Sequence, residues 1–129
     1  MSGINDQLQL KGHLQIHLND ELVQDVDNLV VTAGKNYVAS RIKDASATAM
    51  SHMAVGSGTT AAAAGNTALG SELGRVSLTS IAVSNAVVTY TATFAAGTGT
   101  GAVTEAGILN ASSSGTMLCR TVFSVVNKG

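Results

Sequence analysis

The chain lacks proline and tryptophan, contains a single cysteine, and has aromatic side chains at only 3% of its 129 positions. With one cysteine, Cys119, it cannot form an internal disulfide, which excludes the small secreted folds that disulfides hold together. The few aromatic rings leave little material for a surface that stacks on single-stranded nucleic acid. Seven basic and eight acidic residues give a net charge of -1, so the basic surface typical of nucleic-acid or membrane binding is also missing.

Small apolar residues dominate the composition of the chain. Hydrophobic residues make up 45% of the chain and charged residues 12%, which is the opposite of a disordered composition, and the length predicts one domain. The first residues show no cationic segment followed by an apolar run, and no apolar run approaches the roughly 20 residues of a membrane helix. We therefore expect a soluble protein that is made in the cytoplasm and has no membrane partner.

Apolar and polar residues alternate between Leu8 and Leu18, which predicts a strand with one buried and one exposed face. Gly12 interrupts the apolar face and predicts a bulge or a close backbone approach. The preceding residues, 1–7, are predicted to form a polar N-terminal arm. The exposed face beside this arm is the first candidate interface, and it consists of Gln9, Lys11, His13, Gln15 and His17.

The rest of the chain is predicted to be mainly β, with one short helix. Thr32 is placed to cap a helix over residues 33–43, in which Gly34 lowers helix propensity by about 1 kcal/mol. This segmentation predicts a β-sandwich or jelly-roll-like fold over residues 8–129, with the helix at about 32–43 packed on it. Strands are predicted at 21–25, 50–55, 75–83, 87–94, 103–110 and 116–126, the last of them covered on both faces for part of its length.

A stretch of small residues between Gly56 and Gly65 predicts a mobile loop, followed by a short helical turn that begins at Asn66 or Thr67 and ends near Leu73. Its glycines superficially match a phosphate-binding loop, but the Gly-Lys-Ser/Thr sequence of such loops does not follow. Long loops of small residues on a sandwich are often used for binding, so this loop is the second candidate interface.

The residue types that carry enzyme chemistry occur without the spacing that such chemistry needs. His13 and His17 lie about 13 Å apart along a strand, which is too far to share one metal ion. No serine lies in a Gly-x-Ser-x-Gly turn, and the mid-strand position of Cys119 predicts a buried thiol rather than a nucleophile. We therefore predict a protein that is not an enzyme, with no catalytic residue, no metal site and no cofactor.

Glu105 differs from the other acidic residues because it lies in an apolar strand between Val103 and Ile108. A carboxylate that is buried there needs a partner. Arg120, on a neighbouring predicted strand, can supply one, so we predict a structural ion pair between Glu105 and Arg120 rather than a catalytic carboxylate.

Four segments, in this order, resemble small virion proteins of tailed bacteriophages: 53–60 (MAVGSGTT), 67–76 (TALGSELGRV), 104–110 (TEAGILN) and 115–123 (GTMLCRTVF). They look most like head decoration, or cement, proteins, and similar segments occur in some tail-associated proteins. The resemblance extends over about residues 28–128 and involves structural rather than catalytic residues. One departure is Ser124, where we expect proline, and it concerns only the geometry at that strand end.

This resemblance implies a non-enzymatic protein that binds the major capsid protein of its phage and stabilises the head. The protein would lie on the head surface after assembly in the bacterial cytoplasm, self-associate as a dimer or trimer, and bind no nucleic acid. The first candidate interface would then contact the capsid or another copy. Two alternatives stay open: a tail or tail-fibre component, which would occur in few copies per particle, and a carbohydrate-binding protein or enzyme on a jelly roll, which the few aromatic residues disfavour.

Overall fold

The structure is a computed structural model that describes residues 9–129. Within these residues the strands pair in antiparallel fashion. The predicted mainly β, sandwich-like fold with one short helix is confirmed. The predicted polar arm, residues 1–7, lies outside the described residues. Within them the elements are β1 (Gly12–Leu18), β2 (Glu21–Val30), α1 (Thr32–Asp44), β3 (His52–Gly56), β4 (Glu72–Ser77), β5 (Ser80–Ser84), β6 (Val87–Thr91), β7 (Gly101–Leu109) and β8 (Met117–Lys128).

Six of the strands form one sheet in the order β1-β2-β8-β7-β3-β4, and β5 and β6 form a separate two-stranded sheet. β1 and β2 are joined by a tight turn at Asn19 and Asp20, which both have a positive φ. β2 joins β8 through two residue pairs at its end, those of Leu29 and Val30. The β1–β2 hairpin is therefore joined to the rest of the sheet at one end, and most of its length has no ladder to β8.

Apolar packing, more than these two residue pairs, holds the β1–β2 hairpin on the sheet. The hairpin contributes the half-buried side chains Leu14, Ile16, Leu18, Val23 and Val26. They pack on a buried cluster formed by Val55, Val103, Ala106, Phe123 and Val126. The alternation seen in the sequence thus turns Leu14, Ile16 and Leu18 toward the core, because removing apolar surface from water stabilises this arrangement, whereas Leu10, before β1, is exposed.

Helix α1 begins and ends within one residue of the predicted span 33–43, but the predicted cap was wrong. The N-cap residue is Val31, and no side chain caps the helix. The N–H of Thr32 instead donates to the carbonyl of Ala64 at 2.8 Å, so a distant loop satisfies the helix start. Ala45, in the left-handed conformation, ends the helix. No helix within residues 9–129 is both long and apolar enough to cross a membrane.

The predicted strand 75–83 was wrong, because the chain divides it into β4 and β5 at Leu78. The N–H of Leu78 donates to the carbonyl of Ser51 at 2.9 Å. Its side chain turns inward onto a buried cluster of Met50, Ile108 and Cys119. The predicted hairpin around Asn85 is present as β5 and β6, but it stands apart from the main sheet.

β8 lies between β2 and β7, and neighbouring residues of both parities are buried from Cys119 to Thr121. The prediction that this strand is covered on both faces for part of its length is therefore confirmed. The predicted helical turn after Asn66 does not form. Backbone N–H groups of this segment donate to the side chain of Glu105 instead of to carbonyls one turn earlier.

Candidate functional site

The carboxylate of Glu105 is the centre of a buried polar cluster on β7. Its Oε1 accepts hydrogen bonds from Arg120 Nε at 3.0 Å and from the N–H of Gly70 at 2.7 Å. Its Oε2 accepts from the N–H groups of Gly58 at 2.7 Å and Ser71 at 2.8 Å. The structure thus brings together the two residues suggested as an ion pair and adds three backbone donors. We call these five residues the carboxylate clamp.

The register of β7 and β8 places the two charged side chains on one face of the sheet. Arg120 pairs directly with Gly107, and Glu105 lies two residues before Gly107, so both side chains point to the same side. Both are almost fully enclosed, with 0% of the Glu105 side chain and 2% of the Arg120 side chain exposed. The segment 57–71 covers this face and shields the pair from water.

Further hydrogen bonds connect the covering segment to the same two strands. Arg120 Nη1 donates to Asn66 Oδ1 at 3.0 Å, and that oxygen also accepts from the N–H of Ala63 at 2.8 Å. The Thr104 hydroxyl donates to the carbonyl of Gly58 at 2.8 Å. Segment 57–71 has no regular secondary structure over most of its length, and these bonds replace the ladder that a strand would provide.

Glycine is required beside the carboxylate because the backbone approaches it closely. A Cβ atom on Gly58 would lie 2.4 Å from Glu105 Oε2, and one on Gly56 would lie 2.6 Å from the same atom. Distances this short force the carboxylate or the backbone to move. The Gly-Ser-Gly sequence at 56–58 is therefore explained by packing around Glu105, without a phosphate ligand.

The clamp keeps Glu105 ionised. Burial alone would raise the pKa of this carboxyl group, but the backbone donors of Ser71, Gly70 and Gly58, together with Arg120, more than offset burial and lower the pKa below its ordinary value. Both oxygens are engaged, and neither is exposed to solvent. The arrangement acts as a structural fastening of the loop to the sheet.

The side chains of the first candidate interface lie along β1 and the segment just before it, since β1 begins at Gly12. Gln9, Lys11, His13, Gln15 and His17 are all exposed. β1 is an edge strand of the sheet, and its outer edge pairs with no other strand of residues 9–129. Within the described part of the chain, the backbone donors and acceptors of this edge are therefore available to a partner.

The charge on this face is already partly paired across the hairpin, which the sequence did not reveal. The register sets His13 opposite Asp27 and Gln15 opposite Asp25. His13 Nδ1 lies 2.9 Å from an Asp27 carboxylate oxygen, and His13 Nε2 contacts Asp25. His13 thus belongs to a local ion cluster, whereas Lys11 and His17 lie outside it.

We expect His13 to titrate above its ordinary pKa of 6.5, because hydrogen bonds to Asp27 and then Asp25 favour its protonated form. The raised pKa means that this cluster supports the folded hairpin at low pH and loses that contribution as pH rises through the folded-state pKa. NMR titration of the imidazole protons measures this, and the Asp25→Asn/Asp27→Asn variant should lower the midpoint. Glu21→Gln, on the same strand, should leave it unchanged. A midpoint at or below 6.5 in the unaltered protein would contradict the contacts.

An open groove of about 660 Å³ adjoins the first candidate interface, between the segment before β1 and helix α1. Val38, Ile42 and Leu10 give it an apolar floor. Lys11 and Lys35 provide two positive charges among its lining residues. Ile42 is 67% exposed, so no residue from 9 to 129 covers this apolar surface beside the edge of β1.

The second candidate interface, the loop from Gly56 to Gly65, is fastened to the fold at both ends. Gly58 is held by Glu105, and Ala64 accepts the hydrogen bond from the start of α1. The prediction of a mobile loop did not anticipate these attachments, which involve backbone groups. Thr59 to Ala61 lie between the attachments and are exposed.

His52, on β3, and Cys119, on β8, are two further side chains of chemically reactive type. His52 contacts the hydroxyl of Ser51 at 2.7 Å. Cys119 is buried, as predicted, and burial raises the pKa of its thiol to about 11, so it stays protonated at neutral pH. No group of three or more potential ligands able to hold a metal ion occurs within residues 9–129.

No family model, curated protein or solved structure matches the chain.

Proposed function

We propose that the chain is a non-enzymatic bacteriophage head decoration protein that binds the major capsid protein and stabilises the shell. The observation that supports this most is that the four segments with phage-like sequence all contribute to the carboxylate clamp. Segment 53–60 supplies Gly58, 67–76 supplies Gly70 and Ser71, 104–110 supplies Glu105, and 115–123 supplies Arg120. The resemblance thus concerns one physical unit, in which distant parts of the chain depend on each other.

The clamp suits a structural role because it attaches segment 57–71 firmly to the sheet. A protein that reinforces a shell has to transmit load between neighbouring subunits without unfolding locally. The ion pair of Glu105 and Arg120 is fully hydrogen-bonded and lies under segment 57–71. Local opening that exposes one partner alone would leave the other charge buried without its counterpart, so the pair opposes such opening.

We assign the contact with the capsid to the open edge of β1 and the adjoining groove. The edge can pair with an extended capsid segment, and the apolar floor of the groove can receive side chains of that segment. Lys11 and Lys35 then favour a segment that also carries acidic residues. Many copies on one shell convert a modest affinity at each site into stable attachment.

Reversing one charge in the groove should weaken attachment to the shell. We expect Lys35→Glu to lower the affinity for heads that lack the chain by roughly tenfold or more, since it places a like charge against the acidic capsid segment. Lys43→Glu is the matched control, because Lys43 lies on the same helix, is 80% exposed and is not among the groove residues. It should change the affinity by no more than about twofold.

Sedimentation of purified chain with such heads, followed by quantification of the bound fraction, measures both affinities. Equal affinities for the two variants would exclude the groove as the capsid contact. Failure of the unaltered chain to bind or to raise the thermal resistance of the heads would overturn the decoration role itself.

A further inference from the structure

The β5–β6 hairpin presents apolar side chains to solvent. Ile81 is 49% exposed, Val83 70% and Val88 48%. β5 and β6 pair only with each other among the described strands. A two-stranded hairpin is marginally stable in water by itself, so the exposed surface here needs an explanation.

The register concentrates these side chains on one face of the hairpin. Ile81 pairs with Tyr90, and Val83 pairs with Val88, so the four side chains share a face. The opposite face carries small and polar residues, namely Ser80, Ala82, Ser84, Thr89 and Thr91, with Val87 at the turn. We call the face formed by Ile81, Val83, Val88 and Tyr90 the hairpin apolar face.

Among residues 9–129, only one end of the hairpin apolar face is covered by other parts of the chain. Tyr90 is half-buried and packs on the cluster that contains Met50, Ile108 and Cys119. The face continues from there to Val83 and Val88 at the turn, where the chain leaves it open. It is thus an outward extension of the core, held in place at its base by Tyr90.

The hairpin and the segments on either side of it carry no charge, since no Asp, Glu, Lys or Arg occurs between Arg75 and Glu105. The charge of Arg41 acts on Tyr90, at the covered base of the face. At Val83 and Val88 a charged partner would therefore find no complementary group on the hairpin itself, and its own charges would be desolvated without compensation. A second copy of the same face is free of this penalty, since every side chain that it brings to the centre is aliphatic or the ring of Tyr90.

We propose that the hairpin apolar face binds the same face of a second copy of this chain around a two-fold axis. In such an isologous contact Val83 and Val88 of one copy meet those of the other, and no charge is buried. Pairing also supplies each marginal two-stranded sheet with the second layer that it lacks. Formation of this dimer can be tested with the purified chain alone, so its test is independent of binding to a phage head.

Two neighbouring substitutions on β6 test this directly, because their side chains point to opposite faces of the same strand. Val88→Lys puts a charge on the hairpin apolar face, whereas Thr89→Lys puts the same charge on the polar face. Analytical ultracentrifugation of the full chain over roughly 1–200 µM should give a monomer–dimer equilibrium for the unaltered protein. We expect Val88→Lys to raise the dimer dissociation constant by about 100-fold or more, and Thr89→Lys to change it less than about threefold.

Folding of each variant is checked by its circular dichroism spectrum and thermal unfolding. Should Val88→Lys fail to fold, Val83→Lys on the cross-strand partner replaces it, since Val83 is the more exposed of the two. A monomeric unaltered chain at the highest concentration, a trimer, or equal effects of the Val88 and Thr89 substitutions would overturn the proposal.

Discussion

Replacing Glu105 by glutamine is expected to lower the free energy of unfolding by about 3–5 kcal/mol. Glutamine has nearly the same shape, but its amide group offers N–H donors where the carboxylate accepts from Gly58 and Ser71. The positive charge of Arg120 also stays buried without its counterpart. Chemical denaturation of the variant and the unaltered protein, analysed with a common slope, measures the difference.

A second Glu–Arg pair in the same chain provides the matched control. Glu72 Oε1 accepts from Arg75 Nη2 at 2.7 Å, and the Glu72 side chain is 37% exposed. Glu72→Gln is expected to cost no more than about 1 kcal/mol, because solvent reaches the Glu72 carboxylate, although the Arg75 side chain is only 9% exposed. Arg75 also keeps its hydrogen bonds to the carbonyls of Ala111 and Ser114. Equal losses for Glu105→Gln and Glu72→Gln would contradict the central role of the clamp.

We expect acid to weaken the clamp, because the pKa of Glu105 is lower in the folded protein than its ordinary value. The contribution of this carboxylate is present above the ordinary glutamate pKa of 4.5 and is lost as pH falls toward the lower folded-state value. Since Glu105→Gln has no such group, its difference in stability from the unaltered protein should shrink as the solution is acidified below about pH 4.5. Denaturation series at several pH values detect this convergence.

Replacing Gly34 by alanine is expected to destabilise the protein by about 1–3 kcal/mol, although alanine ordinarily favours a helix over glycine by about 1 kcal/mol. A Cβ on Gly34 would lie 2.0 Å from the carbonyl oxygen of Leu118 on β8. This contact is with backbone, so the whole helix has to move away from the strand. The gain in helix propensity is smaller than the cost of that displacement.

Gly65→Ala is the control for this substitution. A Cβ at Gly65 meets no other described atom within 4 Å, so the unfolding free energy should change by less than about 0.5 kcal/mol. Thermal or chemical denaturation compares the three proteins. Stabilisation by Gly34→Ala would show that α1 does not pack on β8 as closely as described.

Local patterns in the sequence were sufficient to predict secondary structure and exposure where one face of an element is buried. Alternation along β1 predicted which side chains are exposed, because a strand that packs on a core must turn every second residue inward. The helix after Val31 was predicted within one residue at each end. Glu105 stood out since a carboxylate in an apolar strand requires a partner.

Other features depend on contacts that leave no periodic signal. The donors to Glu105 from Gly58, Gly70 and Ser71 are backbone N–H groups, which every residue except proline has. The only sequence signal is the presence of glycines near these donors, because the backbone has to approach the Glu105 carboxylate closely. The break at Leu78 arises from a tertiary contact with the core, and the ion cluster around His13 depends on the register of β1 and β2.

The proposed function assigns this chain to a phage, and its most direct test is the amount of the chain in the separated heads and tails of that phage. Mass spectrometry against the major capsid protein gives the ratio in each fraction. We expect recovery with heads, in hundreds of copies and near a fixed ratio to the capsid protein. Recovery with tails at about a dozen copies or fewer, or absence from both fractions, would contradict the decoration role.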